Sequence, residues 1–231
     1  MSKVWFVTGS ASGLGRSIAE AVLTSGDHLV ATARDPRRLV DLVQKYGNQV
    51  RTAPLDVADE DAATAAVQVA IDTFGRLDVV VNTVGGYVGG VKLWELEPKV
   101  FDQMLALNLR SGYLIARAVV PAMLKQRGGA IVNIASKAAV DHAAGAAAYA
   151  ASKAAAVAMI DSLAAELKGT GVRANSILPS IIDTDVNRKA MPDVDFAQWP
   201  KPQDIARVVL FLCSDDAKLI HGAAIPVYGD T

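Results

Sequence analysis

Cysteine is nearly absent. Cys213 stands alone in 231 residues, so no intrachain disulfide can form and a reducing compartment is expected. Aromatic residues are scarce too, at 6% of a chain that is 52% hydrophobic. The core must then be filled by Ala, Val, Ile and Leu, which suits a sheet covered by closely packed helices. Charge of neither sign is in excess: a formal net charge of −1 gives no field that would draw nucleic acid or an anionic membrane. The three histidines, His28, His142 and His221, have no clustered carboxylates beside them, so no metal-ligand spacing is present. No apolar run approaches the roughly 20 residues that span a bilayer. The opening MSKVWFVTGS reaches glycine too soon for a secretory signal. A cytoplasmic protein of one domain, residues 1–231, is the expectation.

What is there alternates. Short apolar runs (KVWFVT, HLVATA, QVRTAPLD, LDVVVNT, GAIVNIAS, VRANSILP and AAIPVYG) read as buried strands. Between them, helical stretches are expected at 14–24, 36–46, 59–74, 98–125, 149–168 and 202–213. This order predicts right-handed βαβ crossovers: a doubly wound Rossmann-type α/β domain with a parallel sheet of about seven strands and helices on both faces. Residues 180–201 are the least regular stretch, long enough for a substrate loop. In such a sheet, ligands bind beyond the carboxyl ends of the strands.

The first strand runs into TGSASGLG, with Gly9, Gly13 and Gly15 on the turn and the first helical residues. Glycine lets the backbone approach a pyrophosphate, and the helix N-terminus adds free N–H groups and a favourable dipole. Alternatively, such a turn only packs helix against strand. The spacing resembles the TGxxxGxG turn of the short-chain dehydrogenase/reductase family, and that resemblance extends over essentially the whole chain. It implies a nicotinamide cofactor held by Gly9, Ser12, Gly13, Leu14 and Gly15.

An acid that would bind the ribose 2′-OH of NAD falls, by the family pattern, at Ala33. The next residue is Arg34, whose guanidinium suits a 2′-phosphate. NADP(H) is therefore the expected cofactor, with NAD(H) possible. The other reading leaves Arg34 as a solvated charge and Asp35 as a cap on the following helix. The resemblance also implies adenine contacts at Asp56 and Val57, a cofactor contact at Asn82, and carboxamide contacts at Pro179, Ile182 and Thr184 in LPSIIDT. Ser180, Thr83 and Val84 depart from the family's usual residues.

Reducing a carbonyl needs a proton donor beside the hydride source. In YAASK, Tyr149 and Lys153 are four apart and share one helix face. An ammonium nearby stabilises a phenolate and lowers its pKa. The family's active site has this YxxxK pair, a serine about thirteen residues upstream and an asparagine on the long middle helix. Ser136 and Asn108 match them here. The resemblance makes Tyr149 the proton donor, Ser136 the group orienting the carbonyl, Asn108 the support of a water near the lysine, and Tyr149 and Lys153 cofactor contacts as well.

Two segments, VGGYVGG and DTDVNRKAMPDVDFAQW, resemble the quinonoid dihydropteridine reductase branch of this family. Tyr87, flanked by glycines, offers an aromatic face to a flat ring such as a pterin. Against a pterin stand Ser136, which that branch lacks, and Ala33 in place of its acid. Met191, Phe196 and Trp199 equally suit anchors that pin the loop. His142, close in sequence to Ser136, is a candidate substrate residue. The expected function is an NAD(P)-dependent carbonyl/alcohol oxidoreductase acting on a small molecule, assembled as a homo-oligomer, a tetramer or dimer. A non-catalytic NADP-binding regulator or scaffold is the alternative of another class; it predicts a damaged tetrad.

Overall fold

The computed structural model describes residues 2–231. Seven parallel strands form one sheet: β1 (Val4–Val7), β2 (His28–Ala33), β3 (Val50–Pro54), β4 (Val79–Asn82), β5 (Gly129–Ile134), β6 (Val172–Pro179) and β7 (Ala224–Val227), in the order β3-β2-β1-β4-β5-β6-β7. Successive side chains of a strand point to opposite faces, and both faces are covered. Trp5, Val7, Leu29 and Val132 pack with α1 (Gly13–Thr24), α2 (Val40–Tyr46) and α8 (Pro202–Leu212). Val4, Phe6, Val30 and Ile131 pack with α3 (Glu60–Phe74), α5 (Ser111–Gln126) and α6 (Ala147–Glu166). The strands read as near-continuous apolar runs because both of their faces are buried.

The chain winds outward through β1, β2 and β3, then returns to place β4 on the other side of β1. The connections leaving β1 and β4 therefore diverge and open a crevice at the carboxyl ends of these strands. All seven expected strands are present. Of the expected helices, 36–46 begins as a 3-10 turn (Pro36–Leu39), because Pro36 starts it and the Asp35 carboxylate accepts from the N–H of Arg37. The single helix expected at 98–125 is divided into α4 (Pro98–Leu105), a π-turn (Ala106–Arg110) and α5. The 180–201 stretch is not wholly irregular: it carries α7 (Asp185–Ala190) and a 3-10 turn at Phe196–Gln198. Among the described residues, no helix is long and apolar enough to cross a membrane.

Candidate active site

The glycine turn fills the β1–α1 bend. Gly9 has φ +67°, a conformation that a side chain resists. Gly15 is packed harder still: a Cβ there would lie 2.3 Å from the Gly9 carbonyl oxygen and 2.7 Å from Thr83 Oγ1. Thr83, one of the departures from the family pattern, fills this space. Its hydroxyl donates to the Thr8 carbonyl at 2.5 Å, and its N–H donates to Thr8 Oγ1 at 2.9 Å. The two strands at the crevice are thereby tied together. Ser12 precedes α1 without making a side-chain cap bond, so the first N–H groups of the helix are free for an anion. Thr184, capping α7, lies 3.8 Å by its Cγ2 from where a Cβ on Gly13 would stand. The connection after β6 thus closes over the start of α1. These features fit a bound pyrophosphate: a glycine cradle, uncapped N–H groups and a covering loop. Because the obstructing atoms at Gly15 are backbone, Gly15→Ala is expected to cost about 2–3 kcal/mol of stability. It should also weaken cofactor affinity at least tenfold; urea unfolding and fluorescence titration read the two effects.

Arg34 at the end of β2 is exposed and, among the described residues, makes no ion pair or hydrogen bond. Asp35 turns away to Arg37, bonding both its N–H and its guanidinium. Asp35 thus caps the next turn and Arg34 stands as an exposed charge, as the alternative reading of this stretch expects, and its guanidinium is left open to an anion. A cavity of about 430 Å³ beside Arg34 is bordered by Asp56 and by alanines of α3. The Asp56 carboxylate accepts from the N–H of Ala58 at 3.0 Å and turns the loop, while Val57 is buried. Asn82 is buried, its side chain accepting from Thr8 Oγ1 at 3.0 Å and donating to Asn133 at 3.2 Å. Any cofactor contact at Asn82 would have to use its backbone. The same holds for Leu14, whose side chain lies in the core. Pro179 ends β6 in a buried position, and the Ile182 carbonyl accepts from Asn187 Nδ2 at 2.8 Å.

Asn108, Ser136, Tyr149 and Lys153 come from three elements and meet beyond β4 and β5. Asn108 sits in the π-turn, an irregularity common at functional sites. Its side chain accepts from the Gly86 N–H at 2.9 Å and donates to the Gly86 carbonyl at 3.0 Å and to Ser152 Oγ at 3.0 Å. It staples the loop after β4 to α6. A Cβ on Gly85 would meet Asn108 Oδ1 at 2.8 Å and Lys153 Nζ at 3.0 Å, so glycine at 85 leaves the two groups room to converge. Ser136 follows β5 and caps a short turn by accepting from the Ala138 N–H. Thr8, Thr83, Gly85 and Ser152 were not singled out in the sequence as site residues; only the unusual Thr83 carried a signal.

Lys153 is buried, and its ammonium donates to the Ile134 carbonyl at 3.0 Å. Burial alone lowers its pKa to about 8. Burial also raises the Tyr149 phenol above its ordinary range; the Ser136 hydroxyl pulls it back down, and Tyr87 adds to the rise. The direction of the Tyr149 shift is thus set by burial and not by a contact with the lysine. The pair does share a face of α6, but the ammonium turns to the end of β5, and among the described residues no hydrogen bond joins it to the phenol. A raised pKa keeps Tyr149 protonated at neutral pH, as a proton donor requires.

Tyr87 lies edge-on to Tyr149, with ring centroids 5.0 Å apart at 82°. His142 is exposed, with a ring nitrogen 3.4 Å from the Ala139 carbonyl, while His221 Nδ1 accepts from the Ala174 N–H. Among the described residues, no group of three metal-ligating side chains occurs. Cys213 is no nucleophile either: burial pushes its thiol up to about 12. In the 183–199 segment, Arg188 pairs with Asp183 and stacks over Phe196, which packs on the buried Trp199. These residues pin the loop.

A parallel sheet with a glycine cradle at its switch point and an Asn-Ser-Tyr-Lys cluster beside it defines an oxidoreductase of the dinucleotide-binding class. The chain belongs to the short-chain dehydrogenase/reductase family: the family model described as short chain dehydrogenase matches residues 3–195. It is 34% identical to 2-(R)-hydroxypropyl-CoM dehydrogenase of Xanthobacter autotrophicus, with 99% of this chain and 98% of the relative covered. It is 36% identical to D-threitol dehydrogenase of Mycolicibacterium smegmatis, with 98% and 92% covered. Among solved structures it is similar to ElxO with NADP bound, at a TM-score of 0.92 and 26% identity over 99% of this chain and 98% of that one.

Proposed function

We propose that this short-chain dehydrogenase/reductase is an NADP(H)-preferring reductase of carbonyl compounds, with Tyr149 as the proton donor. The observation that carries the reading is the convergence of Asn108, Ser136, Tyr149 and Lys153 beside the glycine cradle. When bound, a reduced nicotinamide supplies the hydride to the carbonyl carbon. The Ser136 hydroxyl donates a hydrogen bond to the carbonyl oxygen and holds it at Tyr149. As the C=O π bond breaks, the oxygen takes the proton from Tyr149 Oη, leaving an alcohol and a phenolate that solvent reprotonates. The Lys153 ammonium, held by Ile134 and beside Asn108, places a positive charge in this low-dielectric site, where it offsets the phenolate. Alcohol oxidation runs the same steps backwards.

The cofactor contacts in this reading are the Gly9–Gly15 turn, including Ser12, Gly13 and Leu14; Arg34 for the 2′-phosphate; Asp56 and Val57; Asn82 through its backbone; and Pro179, Ile182 and Thr184. The free guanidinium of Arg34 supports NADPH over NADH. Arg34→Asp is expected to raise the KM for NADPH at least tenfold and to leave that for NADH within about threefold. Equal losses for the two cofactors would contradict the assignment.

The domain runs through all 231 residues, with 180–201 as its substrate loop. The pinning of this loop by Arg188, Phe196 and Trp199 supports an architectural role for the segment shared with pterin reductases, and Ser136 with Ala33 further disfavours pterin reduction. An intact tetrad disfavours a non-catalytic regulator. A homo-oligomer, dimer or tetramer, is supported by the open edge of β7 and by exposed Phe211 and Leu219 in the segment that precedes this strand. The single buried cysteine supports a cytoplasmic location. The near-neutral charge supports neither a nucleic-acid nor a membrane partner.

The test is the initial rate of loss of reduced-nicotinamide absorbance, with NADPH and NADH in parallel, against small ketones, quinones and quinonoid dihydropterin. NADPH-dependent turnover of a ketone or quinone is expected. Turnover of the pterin alone would reverse the substrate reading.

A further inference from the structure

The rim of the site has two properties that the proton-donor reading does not use. It carries a group of open apolar side chains, and several of its charges are paired with one another. Tyr87, Leu93, Trp94, Val140, Ile181 and Val186 are all exposed large hydrophobic residues, and all lie on the connections that follow β4, β5 and β6. Those are the strand ends beside Ser136 and Tyr149. Lys92 pairs with Glu95 at 3.7 Å, Lys137 with Asp141 at 3.5 Å, and Arg188 with Asp183 at 2.7 Å. Three cations on these connections are thereby committed to neighbouring carboxylates, while Lys189 and Lys201 remain exposed.

Tyr87 is held for a purpose that packing does not explain. It is 64% exposed, so its ring adds little to the core. Yet its position is fixed at both ends. On one side, Asn108 grips both backbone groups of Gly86, and a Cβ on Gly86 would lie 2.5 Å from Leu107 Cδ2. On the other, the Tyr87 hydroxyl rests over Gly89, where a Cβ would lie 2.0 Å from it. The loop is thus shaped to lay an open aromatic ring against the phenol that gives the proton.

Resting on the reading of Tyr149 as proton donor, we infer that Tyr87 is the specificity-determining wall of the site and that the substrate is a flat, largely apolar carbonyl compound, such as an aryl ketone or quinone. Ring-on-ring contact and the apolar side chains at the rim favour such a molecule over a polyol, which keeps its hydroxyls in water, and over a small keto acid, which has no flat ring to lay on Tyr87.

The test is a matched set: an aryl ketone, a hydroxylated aliphatic ketone and a keto acid, each reduced with NADPH by the wild type, Tyr87→Ala and Tyr87→Phe. In parallel, benzamide, an unreactive flat carbonyl compound, is titrated into the protein–NADPH complex with nicotinamide fluorescence as readout. The aryl ketone should have the highest kcat/KM in the wild type. In Tyr87→Ala, its advantage over the aliphatic ketone should fall about tenfold, carried by KM, and Tyr87→Phe should restore it. Benzamide should bind and lose affinity by a similar factor. If the hydroxylated ketone or the keto acid is preferred, or if Tyr87→Ala leaves the ratio where it was, the inference is overturned while the reductase reading stands. If benzamide binds through Tyr87 but no carbonyl is reduced, the reductase reading fails and the flat-ligand site survives. If benzamide does not bind and nothing is reduced, both fail.

Discussion

Tyr149→Phe is expected to lower kcat for carbonyl reduction about 10³-fold, the range for loss of a positioned general acid. The ring remains, so its contact with Tyr87 and the course of α6 are kept. Affinity for NADPH should change by less than about threefold, because the cofactor cradle is built from the Gly9–Gly15 turn on another element. This split between turnover and binding separates a proton donor from a residue that merely shapes the pocket. Burial holds the phenol above its ordinary pKa, so the hydroxyl lost in the variant is a protonated one at neutral pH. A variant that kept more than about a tenth of wild-type kcat would show that another group, or water, delivers the proton.

Lys153→Met should move stability and activity in opposite directions. The ammonium is buried with the Ile134 carbonyl as its hydrogen-bond partner. Its pKa falls from 10.5 to about 8. Burying the charge therefore costs up to about 3 kcal/mol relative to an unfolded lysine. Between about pH 8 and 10.5 the unfolded chain holds the proton that the folded chain has released. Protonation thus favours unfolding, and the wild-type contribution to stability improves as pH rises through that window. Below about 8 both forms are charged and the full penalty persists. Methionine has a similar length and no charge; after allowing about 1 kcal/mol for the lost hydrogen bond, the variant should be about 1–2 kcal/mol more stable at pH 7. The gain should shrink towards zero at pH 10, and turnover should fall at least a hundredfold. Urea midpoints of the cofactor-free protein at the two pH values provide the check. A variant less stable than wild type at pH 7 would mean that the ammonium makes stronger contacts than its bond to Ile134.

Much of this was legible in the residues because the signals were local. Apolar runs such as VWFV and VVVN are strands that alternate their side chains between two helical layers, and all seven strands fall where the pattern puts them. The glycine turn opens an amphipathic helix, and the four-residue spacing of the YxxxK pair puts both side chains on one face of α6. What was hidden depended on contacts between distant segments. The π-turn at Ala106–Arg110 is invisible to helical periodicity, since it forms where Asn108 reaches across to Gly86 and Ser152. Thr83 looked like a mere departure until Gly9 and Gly15 were seen packed against its hydroxyl. The direction of the Lys153 ammonium could not be read from spacing either. Four residues along a helix place two side chains on one face, but the end of β5 decides where the nitrogen goes.

The most direct test of the chemistry is to follow the two hydrogens. NADPH carrying deuterium at both positions of nicotinamide C4 is incubated in ordinary water with the best ketone of the panel, and the alcohol is analysed by mass spectrometry; a second reaction uses unlabelled NADPH in D2O. Direct hydride transfer with a proton delivered by Tyr149 predicts one deuterium on the carbinol carbon in the first reaction and none on that carbon in the second. Solvent deuterium on the carbinol carbon, or a product without cofactor deuterium, would contradict it.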